Sequence, residues 1–240
     1  MRKVITFMGV ASLSLVLMLS GCGTKALPTS AGQQSSPVYQ RTEVITSPDA
    51  AKKLLDDGNA RFTSGKTLNK DFSSTRRMDL EKNGQHPFAI IVSCSDSRVP
   101  PELLYDEALG DLFVIRVAGN VITPVELGSV EYAVEHLKTP LVVVLGHEGC
   151  GAVTAAVQGG EIPGSISSIV EKIKPAIDTA KASGKTGNDL IEKSIDLNVQ
   201  NAIQDLLKSP IVKHAVDTKE AKVLGAKYDL DTGVAQWYTE

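Results

Sequence analysis

The chain has 240 residues, 25 Lys and Arg against 28 Asp and Glu, and a formal charge of −3, enough for one domain with a sizeable core plus appendages. Setting aside Arg2 and Lys3 leaves 23 basic residues and no basic cluster, which excludes a nucleic-acid partner and a polybasic membrane patch. Only three cysteines occur, Cys22, Cys94 and Cys150.

In chain order, Arg2-Lys3 and the uncharged apolar segment Val4 to Leu19 read as an export signal over residues 1–21. Leu19-Ser20-Gly21-Cys22 resembles a bacterial lipobox, which implies lipidation of Cys22 and anchorage to a membrane outside the cytoplasm. Residues 22–46 are rich in Ser, Thr, Gln, Pro and Gly and are expected to be a disordered tether. The folded domain is expected over 47–240. Ser47-Pro48-Asp49 starts a helix running through Phe62, and a weaker helical stretch covers Ser74 to Asn83. The apolar run Phe88 to Ser93 reads as a buried strand, followed by Pro100-Pro101 and a short helical turn. Asp111 to Val117 is a second strand. Thr123-Pro124-Val125-Glu126 is a capping box for a helix reaching about Leu137, and Leu141 to Leu145 is a third strand followed by a helix through Val157. Two amphipathic helices, Ser165 to Lys181 and Asp189 to Lys208, precede a late strand, Lys222 to Tyr228, and a final short one near Trp237. Strands alternating with helices predict an α/β fold: a mainly parallel sheet flanked by helices, with an N-terminal helical arm and C-terminal helices and late strands.

Two polar stretches fall at the carboxyl ends of strands, where open α/β sheets bind ligands. Cys94-Ser95-Asp96-Ser97-Arg98 follows the first, and an extended backbone would set Cys94, Asp96 and Arg98 on one face. Gly146-His147-Glu148-Gly149-Cys150 follows the third. Cys94, His147 and Cys150 form a donor set suited to zinc, with the fourth position left for water, substrate or Asp96. In an exported protein the two thiols could instead form a disulfide, although that leaves Asp96, Arg98 and His147 without a purpose. Gly151, at a helix start behind Cys150, offers a backbone N–H to an anion, or serves close packing.

The spacing Cys-x-Asp-x-Arg followed by His-x-x-Cys resembles the signature of the β-class carbonic anhydrases, and the likeness spans residues 47 to 240. It includes Gly58-Asn59-Ala60-Arg61-Phe62, Arg116-Val117-Ala118-Gly119-Asn120, Glu131-Tyr132-Ala133-Val134, Tyr228-Asp229 and Thr232-Gly233. Val117 departs from the asparagine of many members. The resemblance implies Cys94, His147 and Cys150 as ligands of one zinc per subunit, and Asp96 with Arg98 as a catalytic pair. It also implies reversible hydration of carbon dioxide to bicarbonate and a proton by zinc-bound hydroxide. Gln85, nine residues before Cys94, matches the substrate-orienting glutamine of the plant-like subgroup, and Phe113 and Tyr132 match its substrate pocket. In that subgroup these three come from the neighbouring subunit, so a homodimer or tetramer is implied. His136 matches a proposed proton shuttle. The alternatives are a carbon disulfide or carbonyl sulfide hydrolase on the same scaffold, and a zinc-binding lipoprotein without turnover.

Overall fold

A computed structural model of the chain describes residues 37–239. The signal segment, Cys22 and the tether up to residue 36 lie outside the described residues. None of the described helices is long and apolar enough to cross a membrane.

Helix α1 (Pro48–Thr63) starts where Ser47 accepts the Ala50 N–H through its side chain, with Pro48 at the first helical position. Helix α2 (Ser74–Asn83) follows, then β1 (Ala89–Ser93), the short α3 (Pro101–Leu104) and β2 (Leu112–Arg116). A 3-10 turn at Ala118–Asn120 leads to α4 (Pro124–Glu135), whose Thr123 and Glu126 close the capping box anticipated from the sequence. Strand β3 (Leu141–His147) then feeds α5 (Gly151–Gln158), α6 (Ile166–Ala182), α7 (Gly187–Leu207) and α8 (Pro210–Asp217). The chain closes with β4 (Lys222–Tyr228) and β5 (Ala235–Trp237).

The five strands lie in the order β2-β1-β3-β4-β5, parallel except for the last pair, as the turn at Asp231-Thr232-Gly233 requires. Side chains alternate across the sheet. Ile90, Val92, Val142 and Val144 join one buried cluster with α4, α7 and α8, while Ala89, Ile91, Leu141, Val143 and Leu145 join another with α1 and α3. Both faces are covered, which explains why β1 and β3 are apolar at nearly every position. Helices approach closely at two glycines: a Cβ on Gly58 would lie 1.8 Å from the Tyr105 carbonyl oxygen, and one on Gly146 would lie 2.6 Å from Val199.

Three features depart from expectation. Helix α8 was not anticipated, although Ser209 caps it and Pro210 occupies its first turn. Strand β3 continues two residues beyond Leu145, so His147 leaves the sheet from a strand position. The described end of the expected tether is not free chain. Tyr39 donates its N–H to Asn69 O at 2.7 Å, Arg41 pairs with Glu107 at 2.7 Å and Asp111 at 3.3 Å, and Ile45 packs against the α1 face of the core. A polar composition hid three anchoring residues.

Candidate metal centre

Cys94 follows β1 directly and Cys150 precedes α5, while His147 ends β3, the neighbour of β1 in the sheet. The two ligand stretches therefore meet because their strands pair in parallel, Ser93 beside Leu145. The Cys94 and Cys150 sulfurs are 4.0 Å apart and unbridged, and with a His147 ring nitrogen the three donor atoms lie within 4.8 Å of one another. Two sulfurs on a tetrahedral zinc with bonds of about 2.3 Å stand about 3.8 Å apart, so this spacing suits a metal and not a disulfide.

His147 is fully buried. Its Nδ1 lies 2.9 Å from the Glu148 carbonyl, which only accepts, so Nδ1 carries the proton and Nε2 presents a lone pair. Among the described residues, Nε2 has no hydrogen-bond partner. A buried, unpartnered acceptor beside two free thiols is costly unless something binds it, and the donor set thus fits a zinc ion. The hydrogen bond from Cys150 draws the Cys94 pKa well below the usual thiol value against the cost of burial, aided by the Gly119 N–H, which donates to the sulfur at 3.3 Å. The bond to Cys94, together with burial, pushes Cys150 up. A divalent cation binding both sulfurs would displace their protons.

Asp96 and Arg98 are joined by a turn and not by strand alternation, because β1 stops at Ser93 and Val99 donates its N–H back to the Asp96 carbonyl at 3.0 Å. This corrects the extended geometry expected for 94–98. Asp96 accepts from the Arg98 backbone N–H at 2.9 Å, from its Nε at 3.0 Å and from its Nη2 at 2.8 Å. These bonds, led by that of the guanidinium, hold the Asp96 carboxyl far below the usual carboxylate range. Its Oδ2 is nevertheless only 3.9 Å from His147 Nε2, within reach of the space a metal would occupy.

Two positioning contacts escaped sequence reading. Arg116, at the end of β2, donates to the Cys94 carbonyl at 3.0 Å and to the Asp96 carbonyl at 2.5 Å, fixing the main chain of the first ligand stretch. Glu192 on α7 accepts the Gly149 N–H at 3.0 Å, inside the second. Arg116 lay within the quoted family block, but nothing marked its partners; Glu192 sits on a polar stripe of an amphipathic helix and carried no signal.

Gln85, Phe113, Tyr132 and His136 are not brought to this centre within one chain. Gln85 is exposed before β1, at the opposite end of the sheet from Cys94. Phe113 pairs in register with Ile90, four residues or about 13 Å of strand before Cys94. Phe113 and Tyr132 have ring centroids 6.3 Å apart, Tyr132 and His136 5.3 Å, and Tyr132 is 48% exposed. Gly151 begins α5 with nothing within 4 Å of an added Cβ, so close packing does not account for it. Among the blocks that carry the family resemblance, Asn59 ties α1 to the Leu104 and Gly233 carbonyls at 3.0 and 2.9 Å, and Arg61 pairs with Asp106 at 2.6 Å. Those are structural contacts away from the donor set.

A mostly parallel α/β sheet carrying a Cys-His-Cys donor set and a paired Asp-Arg at its carboxyl end defines the class: an α/β protein with a candidate thiolate-imidazole metal centre. Residues 89–235 match the family model described as carbonic anhydrase. A carbonic anhydrase of Mycolicibacterium smegmatis is 40% identical over 193 residues, covering 78% of this chain and 92% of that protein. The structure of a Coccomyxa β-carbonic anhydrase in complex with acetazolamide superimposes with a TM-score of 0.62 at 27% identity, covering 80% of this chain and 84% of that one. A tetrameric β-carbonic anhydrase from Sordaria macrospora shares the fold, with a TM-score of 0.65 at 24% identity over 80% of this chain and 98% of that one. The chain belongs to the β-carbonic anhydrase family and is an enzyme, a lyase.

Proposed function

We propose that this chain catalyses the reversible hydration of carbon dioxide to bicarbonate and a proton, with one zinc held by Cys94, His147 and Cys150. The observation that carries the reading is the buried, partnerless His147 Nε2 facing two unbridged thiols, with an Asp96 carboxylate 3.9 Å away yet tied to Arg98. A zinc ion in this site supplies Lewis acidity, lowering the pKa of water from about 15.7 toward 7 so that hydroxide is available to attack the carbon of carbon dioxide. Two thiolate donors neutralise the dication, so less acidification is expected than with three imidazoles, and activity is expected to rise with pH from about 7 to 9.

The protein groups do the rest. Arg98 holds Asp96 back from the fourth position, where a free carboxylate would compete with water. Held there, the Asp96 carboxylate accepts a hydrogen bond from water beside it and orients that oxygen. The Gly151 N–H at the start of α5 donates to an oxygen of bicarbonate. Gln85, Phe113 and Tyr132 act in a neighbouring copy's site, with His136 as a proton carrier at its edge. This reading is supported by the exposure of Gln85, Tyr132 and His136 and by the place of Gln85 and Phe113 toward the far end of the sheet, and it makes a homodimer, alone or paired into a tetramer, the working unit. Lipidation of Cys22 and a tether to a membrane outside the cytoplasm complete the proposal, supported by Leu19-Ser20-Gly21-Cys22 behind a basic start and an apolar segment. The test is stopped-flow carbon dioxide hydration with zinc measured on the same sample. Hydration well above buffer that rises from pH 7 to 9 is expected, and zinc-loaded protein without a rate above buffer refutes the reading.

A further inference from the structure

The peptide unit between Glu148 and Gly149 is held at both ends. Its carbonyl oxygen receives the His147 Nδ1–H at 2.9 Å, and its N–H donates to Glu192 Oε1 at 3.0 Å. Gly149 has a φ of 57°, a left-handed conformation that glycine tolerates, so the unit is turned to face both partners. Glu192 comes from α7, 43 residues further along the chain, and is itself fixed: Lys227 Nζ on β4 lies 2.6 Å from its Oε2. Lys227 also reaches Asp196 Oδ1 at 3.2 Å, and the Tyr238 hydroxyl donates to that same oxygen at 2.8 Å. The contacts form a continuous line from Lys227 through Glu192 and one peptide group to the His147 ring.

Metal-ligating histidines commonly donate their second ring N–H to a carboxylate or carbonyl, which fixes the ring and raises its basicity. In this chain the direct acceptor is a neutral carbonyl. A carboxylate on the opposite end of the same peptide polarises it, making the oxygen a stronger acceptor, since hydrogen bonds in series reinforce one another. We infer that Glu192 is a positioning residue for the metal centre, acting on His147 Nε2 through the Glu148–Gly149 peptide and setting how tightly the ion is retained. The inference rests on the proposed role of His147 as a ligand. Glu192 touches neither substrate nor the reacting atoms.

The test compares metal retention in the full chain for the parent protein, Glu192→Ala, Glu192→Gln and, as a control on the exposed face of α6, Glu171→Gln. Zinc affinity is measured by competition with a chromophoric chelator, and the cobalt-substituted proteins are compared by their thiolate-to-metal absorption. Glu192→Ala is expected to bind zinc about 10-fold to 100-fold more weakly and to shift the cobalt spectrum. Glu192→Gln keeps the shape but not the charge and is expected to lose at least about threefold, while Glu171→Gln matches the parent. Should Glu192→Ala not fold, Glu192→Gln decides. Parent-like affinity and cobalt spectrum in folded Glu192→Gln overturn the inference. A parent protein that binds no zinc instead overturns the proposed role of His147.

Discussion

The two ends of the sheet differ in completeness. At the carboxyl end, Cys94, His147 and Cys150 are buried, held from behind by Arg116 and Glu192, and gathered by a single chain. At the amino end, Gln85 and Tyr132 face solvent, and among the described aromatic groups the Phe113 and His136 rings each lie against Tyr132. Metal ligands need fixed distances, which paired strands supply; substrate-pocket walls need only to be presented, and a second copy can present them. On the proposed function, that difference assigns the chemistry to the chain and the pocket to the assembly.

The largest effect comes from attacking the self-contained end. Cys150→Ser removes one donor and leaves the others without a closed set, so zinc content falls to background and kcat/KM drops on the order of 10³-fold or more. Metal analysis and stopped-flow hydration on the same preparation check this, and full activity with the serine would remove Cys150 from the ligand set.

Much of that end was legible because its residues are contiguous with the signals that place them. Cys94 and His147 follow apolar runs, Cys150 precedes a helix, and parallel pairing of β1 with β3 brings the stretches together. What stayed hidden depended on distance in sequence. Glu192 meets Gly149 only because α7 packs over the end of β3, and Arg41 reaches Glu107 and Asp111 across 66 and 70 residues. No local pattern encodes such pairs. The turn at Asp96-Ser97-Arg98 was misread as strand for a related reason: alternation predicts the same shared face, and the backbone hydrogen bonds that Val99 and Arg98 give to Asp96 separate the two geometries.

A smaller loss is expected from opening the Asp96–Arg98 pair. In Arg98→Ala the carboxylate is free to compete for the fourth position, so kcat/KM falls about 10²-fold while zinc content holds. The same variant sharpens the electrostatics. Because Arg98 lowers the folded-state pKa of Asp96, the stabilisation from their pairing is present above the unfolded-state pKa of about 3.9 and is lost as pH falls through the lower folded value. Thermal unfolding of parent and variant should therefore differ at pH 6 and converge in strong acid. A difference that grows in acid would show that Arg98 acts on another group.

The smallest effect bears most directly on which end needs a partner. Gln85→Ala leaves every donor in place and is expected to lower kcat/KM only about tenfold, through poorer orientation of carbon dioxide. Alone, that loss does not say whose site the glutamine serves. Mixed assemblies do, because a Cys150→Ser chain retains Gln85 and a Gln85→Ala chain retains the donors. If Gln85 serves a neighbour's metal, each mixed dimer contains one whole site, the donors from one chain and the glutamine from the other. Random pairing of equal amounts in a two-fold dimer then yields about a quarter of wild-type activity, roughly five times the mean of the two parents. If Gln85 serves its own chain, no mixed dimer contains a whole site and the mixture stays at the parental mean. Activity at that mean, with mass spectrometry showing that chains had exchanged, would return the pocket to the single subunit and erase the contrast between the two ends.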